Sequence, residues 1–217
     1  GLTLKTQELQ RLLSEKPATF TLLMPTAEGV LEIELQKNKL LADGFKVTTS
    51  SPTKTNYTPG LYYQGAIKGD PSSVAAISFF NDEIIGVISN ANGNFNLGKM
   101  QNVGKETLYL PTDYVWFNGQ DLVYQEPFHC NVVTPADYQL PQINKNYNPM
   151  VPFASVDKLV ETYFVCDNAF YVSKGSNVTT ATNYITAIYN DVATIYLNED
   201  VVTQVSEVFV YNTTDPY

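Results

Sequence analysis

Apolar and polar positions alternate with a period of two through most of the first half of this chain. Near the end the period lengthens to 3.6. The alternation is clearest around Tyr63, Ala66 and Ile67, again through Val74, Ala76 and Ile77, and again from Ile84 to Ile88. Turn formers separate these runs: Gly69-Asp70-Pro71-Ser72 and Asn81-Asp82. Pro71 fixes its own φ and Gly69 tolerates φ > 0, so the pattern predicts three short strands in an antiparallel meander. Strand-like segments recur from Thr19 to about Tyr124, at 19–24, 30–35 and 46–49. Asn92-Gly93-Asn94 and Asn118-Gly119 act as hairpin-type punctuation. Ahead of them, Leu2, Leu9, Leu12 and Leu13 with charges between predict a short amphipathic helix within 2–16, stopped by Pro17.

Prolines and asparagines then interrupt residues 135–152 with little apolar periodicity, the grammar of a linker. Beyond it the pattern changes. Residues 159–166 form a near-continuous apolar run, as in a strand buried on both faces. Ala181, Tyr184, Ile185, Ile188, Val192, Ile195 and Tyr196 make a helical stripe, with Ser176 or Asn177 available as its N-cap. Residues 201–211 read as a second strand. The expected architecture is therefore mixed. A β-rich antiparallel domain, sandwich or barrel-like, spans 1–134; a linker spans 135–157; a partial α/β strand–helix–strand unit spans 158–217.

Composition narrows the function classes. The net charge is −9 with one arginine, Arg11, which argues against nucleic acid and anionic membrane surfaces as partners. No run approaches the roughly 18 apolar residues of a membrane span, and no leader pattern follows Gly1. With 15 Tyr and 11 Phe, the profile is that of a β-rich, extracytoplasmic protein whose signal peptide lies outside this sequence. Two cysteines are too few for a disulfide scaffold. Neither acidic pair, Asp82-Glu83 or Glu199-Asp200, has a partner suggesting acid–base work, and both read as solvated surface.

The wording of the meander carries more than its periodicity. Tyr63-Gln64-Gly65, Gly69-Asp70-Pro71-Ser72-Ser73-Val74-Ala75, Ile77-Ser78 and Gly86-Val87-Ile88 follow one another in an order that resembles the prodomain of the reprolysin/ADAM family of secreted zinc metalloendopeptidases. Leu35 to Leu41 and Phe45 are similar to the family's preceding strand pair. Where that family usually has cysteines flanking the meander, this chain has Leu61 and Phe79/Phe80, so no disulfide within the prodomain is implied. After the linker, Val160-Glu161-Thr162-Tyr163-Phe164-Val165-Cys166-Asp167 is similar to the first strand of the family's catalytic domain. The two resemblances stand in the order a zymogen requires.

What the resemblance implies is a latent metzincin. Such an enzyme needs three histidines from His-Glu-x-x-His-x-x-Gly-x-x-His, and this chain has one, His129. Alone it is expected to be inactive, with zinc held by the parent enzyme elsewhere. Cys130, in Phe128-His129-Cys130-Asn131-Val132-Val133-Thr134, matches the family's cysteine switch, whose thiolate takes the fourth zinc position and excludes water. Asn131 replaces the family's glycine, and an extra valine precedes Thr134. An inert thiol at Cys130, or a disulfide to Cys166, are the alternative readings; Cys166 alone reads as a small buried hydrophobe. Glu161 matches a position that in many members helps hold a structural Ca²⁺, with a solvent-facing carboxylate as the alternative. The implied partners are the chain's own catalytic domain and the parent's protein substrates. Residues 135–157 would be the activation region, without the dibasic pair that a basic-site convertase needs. Two rival classes stay open: a non-enzymatic secreted β-domain binding protein or glycan through its tyrosines, and a stand-alone prodomain-like protease inhibitor.

Overall fold

The computed structural model describes residues 1–52, 55–102, 108–122 and 158–216. The molecule is β-rich, mostly antiparallel, with a smaller α/β part. Strands β1 (Leu2–Thr3), β2 (Thr19–Thr26), β3 (Gly29–Lys37), β5 (Leu61–Ile67), β6 (Asp70–Phe79), β7 (Ile84–Asn90), β8 (Gly93–Lys99) and β9 (Asp113–Asn118) form one sheet. Its order is β1-β9-β8-β7-β6-β5-β3-β2, antiparallel throughout, and it curls nearly into a barrel. The inward positions of the alternation become its core: Ile33, Leu35, Tyr63, Ile77, Phe79 and Ile88 are buried. Helix α1 (Thr6–Glu15) lays Leu9, Leu12 and Leu13 against that core. Tyr63 meets Phe20 and Phe79 edge to face and donates its hydroxyl hydrogen bond to the Pro17 carbonyl at 2.8 Å.

Two turns differ from expectation. Strand β6 already begins at Asp70, so the turn closes on Lys68 and Gly69, with Gly69 at φ 82°. Pro71 lies near the strand start, where a missing N–H is tolerated. Ser73 draws the turn tight: its hydroxyl accepts from the Ile67 amide at 2.8 Å and donates to the Asp70 carbonyl at 2.6 Å. The β5–β6 register shifts between Gly65 and Ile67, and on the other side of β5, β3 approaches so closely that a Cβ on Gly65 would lie 1.8 Å from the Glu34 carbonyl oxygen. The Asn118-Gly119 step is a 3₁₀ turn (Gly119–Asp121), with the Asn118 side chain accepting from the Gln120 amide.

The second sheet is three-stranded and wholly parallel, in the order β10 (Lys158–Cys166), β11 (Val201–Val210), β4 (Leu41–Thr49). Between β10 and β11 run helices α2 (Asn168–Ser173) and α3 (Val178–Leu197). Asn177 caps α3, its side chain accepting from the Thr180 amide at 3.0 Å. The segments on either side of residues 135–157 share a core: Leu40, Tyr62 and Phe80 cluster with Cys166, Ala187, Val205, Val208 and Val210.

Two expectations are corrected here. Strand β10 is not buried on both faces: Leu159, Tyr163 and Val165 stand exposed on one face, and on the other burial grows from the exposed Val160 to the buried Cys166. Nor is the apolar stripe of α3 its most buried face. Of the stripe, Ala181 is buried, Tyr184, Ile185 and Val192 are half-buried, and Ile188, Ile195 and Tyr196 are exposed, whereas Thr182, Asn183, Thr186, Ala187, Asn190 and Thr194 are buried. The helix packs against β11 and also against β5, β6 and β7. Small and hydrogen-bonding side chains, rather than bulky ones, suit the surface between two sheets.

Candidate functional site

The described residues that lie closest to a functional arrangement form the junction between the eight-stranded sheet and the 158–216 segment. Strand β4 adds to the edge of β11 in the register Val205↔Leu41 and Glu207↔Lys46 through Val210↔Thr49. Backbone hydrogen bonds flank the pairing, from the Val205 amide to the Leu40 carbonyl at 2.8 Å and from the Ser50 amide to the Val210 carbonyl at 3.1 Å. One carboxylate holds the middle. Glu207 accepts from the Thr48 hydroxyl at 2.6 Å and pairs with Lys46 at 2.9 Å. Burial pushes the Glu207 carboxyl up, but the Thr48 hydroxyl and the Lys46 ammonium outweigh it and hold it below the usual range. At the far end Asn212 accepts from the Ser51 amide and the Ser50 hydroxyl, each at 3.0 Å, and donates to the Ser51 hydroxyl at 2.7 Å.

The buried face of α3 makes the second contact. The Asn190 side-chain amide donates to the Tyr63 carbonyl at 3.0 Å, and its oxygen accepts from the Asn38 amide at 3.0 Å. About two turns earlier, Asn183 accepts from the Tyr57 hydroxyl at 2.9 Å. Burial, with Tyr62 nearby, raises the Tyr57 phenol well above its ordinary value, so it is a fixed donor at any physiological pH. The Tyr62 hydroxyl and the Thr182 and Thr203 hydroxyls are buried with no hydrogen-bond partner among the described residues. Asn183 and Asn190 carry the signal that could have marked this contact in the sequence. Asparagine is a poor helix former, and two of them inside an apolar helix ask for tertiary partners.

Of the residues singled out from the sequence, Glu161 lies on the exposed face of β10. Cys166 is a free, buried thiol, and burial with Asp167 beside it pushes its pKa up to about 11. That thiol is neutral and inert at neutral pH. Cys130, His129 and the 135–157 linker lie outside the described residues. Among the described residues no three of His, Cys, Asp and Glu come together as metal ligands. Asp82, Glu199 and Asp200 are exposed as expected, whereas Glu83 is half-buried, and that burial raises its carboxyl. No helix is long and apolar enough to cross a membrane among the described residues.

No protein-family model matches the chain. Over 120 residues the chain is 26% identical to "A disintegrin and metalloproteinase with thrombospondin motifs 4" from Homo sapiens. That stretch is 55% of this chain but 14% of the human protein. The likeness is distant and partial, and it points toward a metalloproteinase-related region.

Proposed function

We propose that this chain is the latency-maintaining prodomain, with the N-terminal part of the catalytic domain, of a secreted zinc metalloendopeptidase of the reprolysin/ADAM type. The observation that carries this reading is order. A prodomain-like meander at 61–88 precedes a catalytic-type first strand at 158–166, in a chain with partial identity to a protein named as a metalloproteinase. The parallel strand–helix–strand unit leaning on an antiparallel sheet agrees with it.

The donor set of this chain does not make a zinc centre. It has one histidine, and the described residues gather no ligand group. Zinc belongs to the parent enzyme, and this chain's contribution is the inhibitory ligand Cys130. A thiolate tethered beside a metal competes with water because its local concentration is high. Residues 135–157 are the proposed activation region, where scission breaks the covalent tether. Glu161, exposed on β10, is the candidate Ca²⁺ ligand. In the full-length zymogen, Cys130→Ser is expected to raise basal proteolysis of a peptide substrate by about tenfold or more. Latency unchanged by that substitution overturns the switch.

A further inference from the structure

The strands of the large sheet nearly close, and the seam they leave is not filled. β1 has two residues, and β2, at the opposite end of the strand order, pairs only with β3 among the described residues. Helix α1 covers the gap and is fastened along its length. The Leu4 amide donates to the Thr112 carbonyl at 2.8 Å and the Gln10 side-chain amide to the Asn81 carbonyl at 3.0 Å. The Tyr63 hydroxyl holds the Pro17 carbonyl just past the helix. Between α1, β1 and β2 a cleft of about 640 Å³ runs into the sheet. Leu4, Leu12, Phe20 and Leu22 line it half-buried, and it reaches down to the buried Met24 and Phe79. Its charged lining residues, Lys5, Glu8, Arg11 and Glu15, are all exposed at the rim. Glu8 and Arg11 neutralise each other at 2.7 Å. Lys5, immediately before α1, makes no ion pair among the described residues, and Glu15 ends the helix about 15 Å away.

We propose that this cleft binds a long-chain fatty acid, with the alkyl chain among the leucines and the carboxylate at the Lys5 end. Size, lining and charge each favour that occupant. Small-molecule sites commonly measure about 300 to 1,000 Å³, and a barrel of about eight strands is wide enough to hold one small ligand. An alkyl chain asks no hydrogen bonds of its walls, and these walls are side chains of Leu, Phe and Met. An added peptide strand would need such bonds. Pro25 lines the same cleft on β2 and has no N–H to offer a pairing strand, which disfavours strand addition at this edge. One uncompensated ammonium at the mouth suits one carboxylate, since the Glu8 charge is already met by Arg11.

The test titrates the full 217-residue chain with cis-parinaric acid, a fatty acid whose fluorescence rises on leaving water, at concentrations too low for micelles. The expected result is saturable one-to-one uptake, reversed by saturated fatty acids. Their competition should tighten about fourfold for each methylene buried, from octanoic acid upward, until the cleft is full. Leu22→Trp occupies the cleft and is expected to weaken uptake about tenfold or more, with circular dichroism and the thermal transition checking that the variant is folded. Lys5→Glu changes only an exposed rim residue, so its folding is not in question. It is expected to weaken dodecanoic acid about fivefold and to leave dodecanol unchanged. Absence of saturable uptake by the folded, unaltered chain overturns the proposal. So does uptake that a folded Leu22→Trp leaves intact, which would put the ligand elsewhere. Dodecanol bound as tightly as dodecanoic acid, with Lys5→Glu without effect, would assign the cleft to a neutral apolar compound and overturn the fatty-acid reading. Zinc, Cys130 and residues 135–157 take no part in these measurements, so their outcome is independent of the latency assay.

Discussion

Asp191 shows how one residue's setting can be read into solution behaviour. It lies on α3, half-buried, and its carboxylate has no hydrogen bond or ion pair among the described residues. Burial raises its pKa from 3.8 to about 7. Between those values the folded state keeps a proton that the unfolded state has lost. Its contribution therefore falls as pH rises from about 4 to 7, and levels off above. Asp191→Asn is expected to remove that slope and to stabilise the protein near pH 8 by about 2 kcal/mol. Urea titrations at pH 5 and pH 8 check this; an unchanged slope in the variant would show that the proton sits elsewhere. Nothing in the one-dimensional pattern marks Asp191, because its burial comes from the way α3 is wedged against its neighbours.

At the scale of the element, α3 separates periodicity from burial. Its apolar stripe is legible in the sequence, and so are the helix itself and its Asn177 cap. The face that matters most to packing is the other one. Asn190→Ala removes the hydrogen bonds to Tyr63 and Asn38 and leaves the half-buried Asn38 side-chain amide without this acceptor. Its expected cost is about 2–3 kcal/mol. Ile195→Ala, at 61% exposure on the stripe, is expected to cost less than about 0.5 kcal/mol. Chemical denaturation of the two variants measures the contrast, and a larger loss for Ile195→Ala would reverse the assignment of faces. The meander was far more legible. Period-two alternation and turn residues reach only to nearest neighbours in the chain, and those are the neighbours β5, β6 and β7 use. The extra strand length at Asp70 was not legible, because a turn rich in Pro and Ser reads as loop until Ser73 is seen folding it into the ladder.

At the scale of the whole molecule, the shared core predicts one cooperative unit. Trp116, stacked on Phe95 at 5.0 Å in the eight-stranded sheet, reports on the N-terminal part, and helical ellipticity is dominated by α3. The two signals are expected to change together in urea, with coincident midpoints. Midpoints separated by more than about 0.5 M would show two independently folding parts. The sequence by itself determined the β-rich character of the chain, its two hydrophobic periodicities, the absence of three histidines and the order in which its motifs follow one another. Each of those is written in spacing along the chain or in residue identity. Only the tertiary structure decided that β4 leaves its sequence neighbours to pair with β11, that α3 buries its polar face, and that the two sides of the linker share a core. Those outcomes depend on contacts between residues more than a hundred positions apart, such as Asn38 with Asn190 and Thr48 with Glu207. No local period encodes such contacts, because the free energy that selects them appears only when both partners are desolvated together.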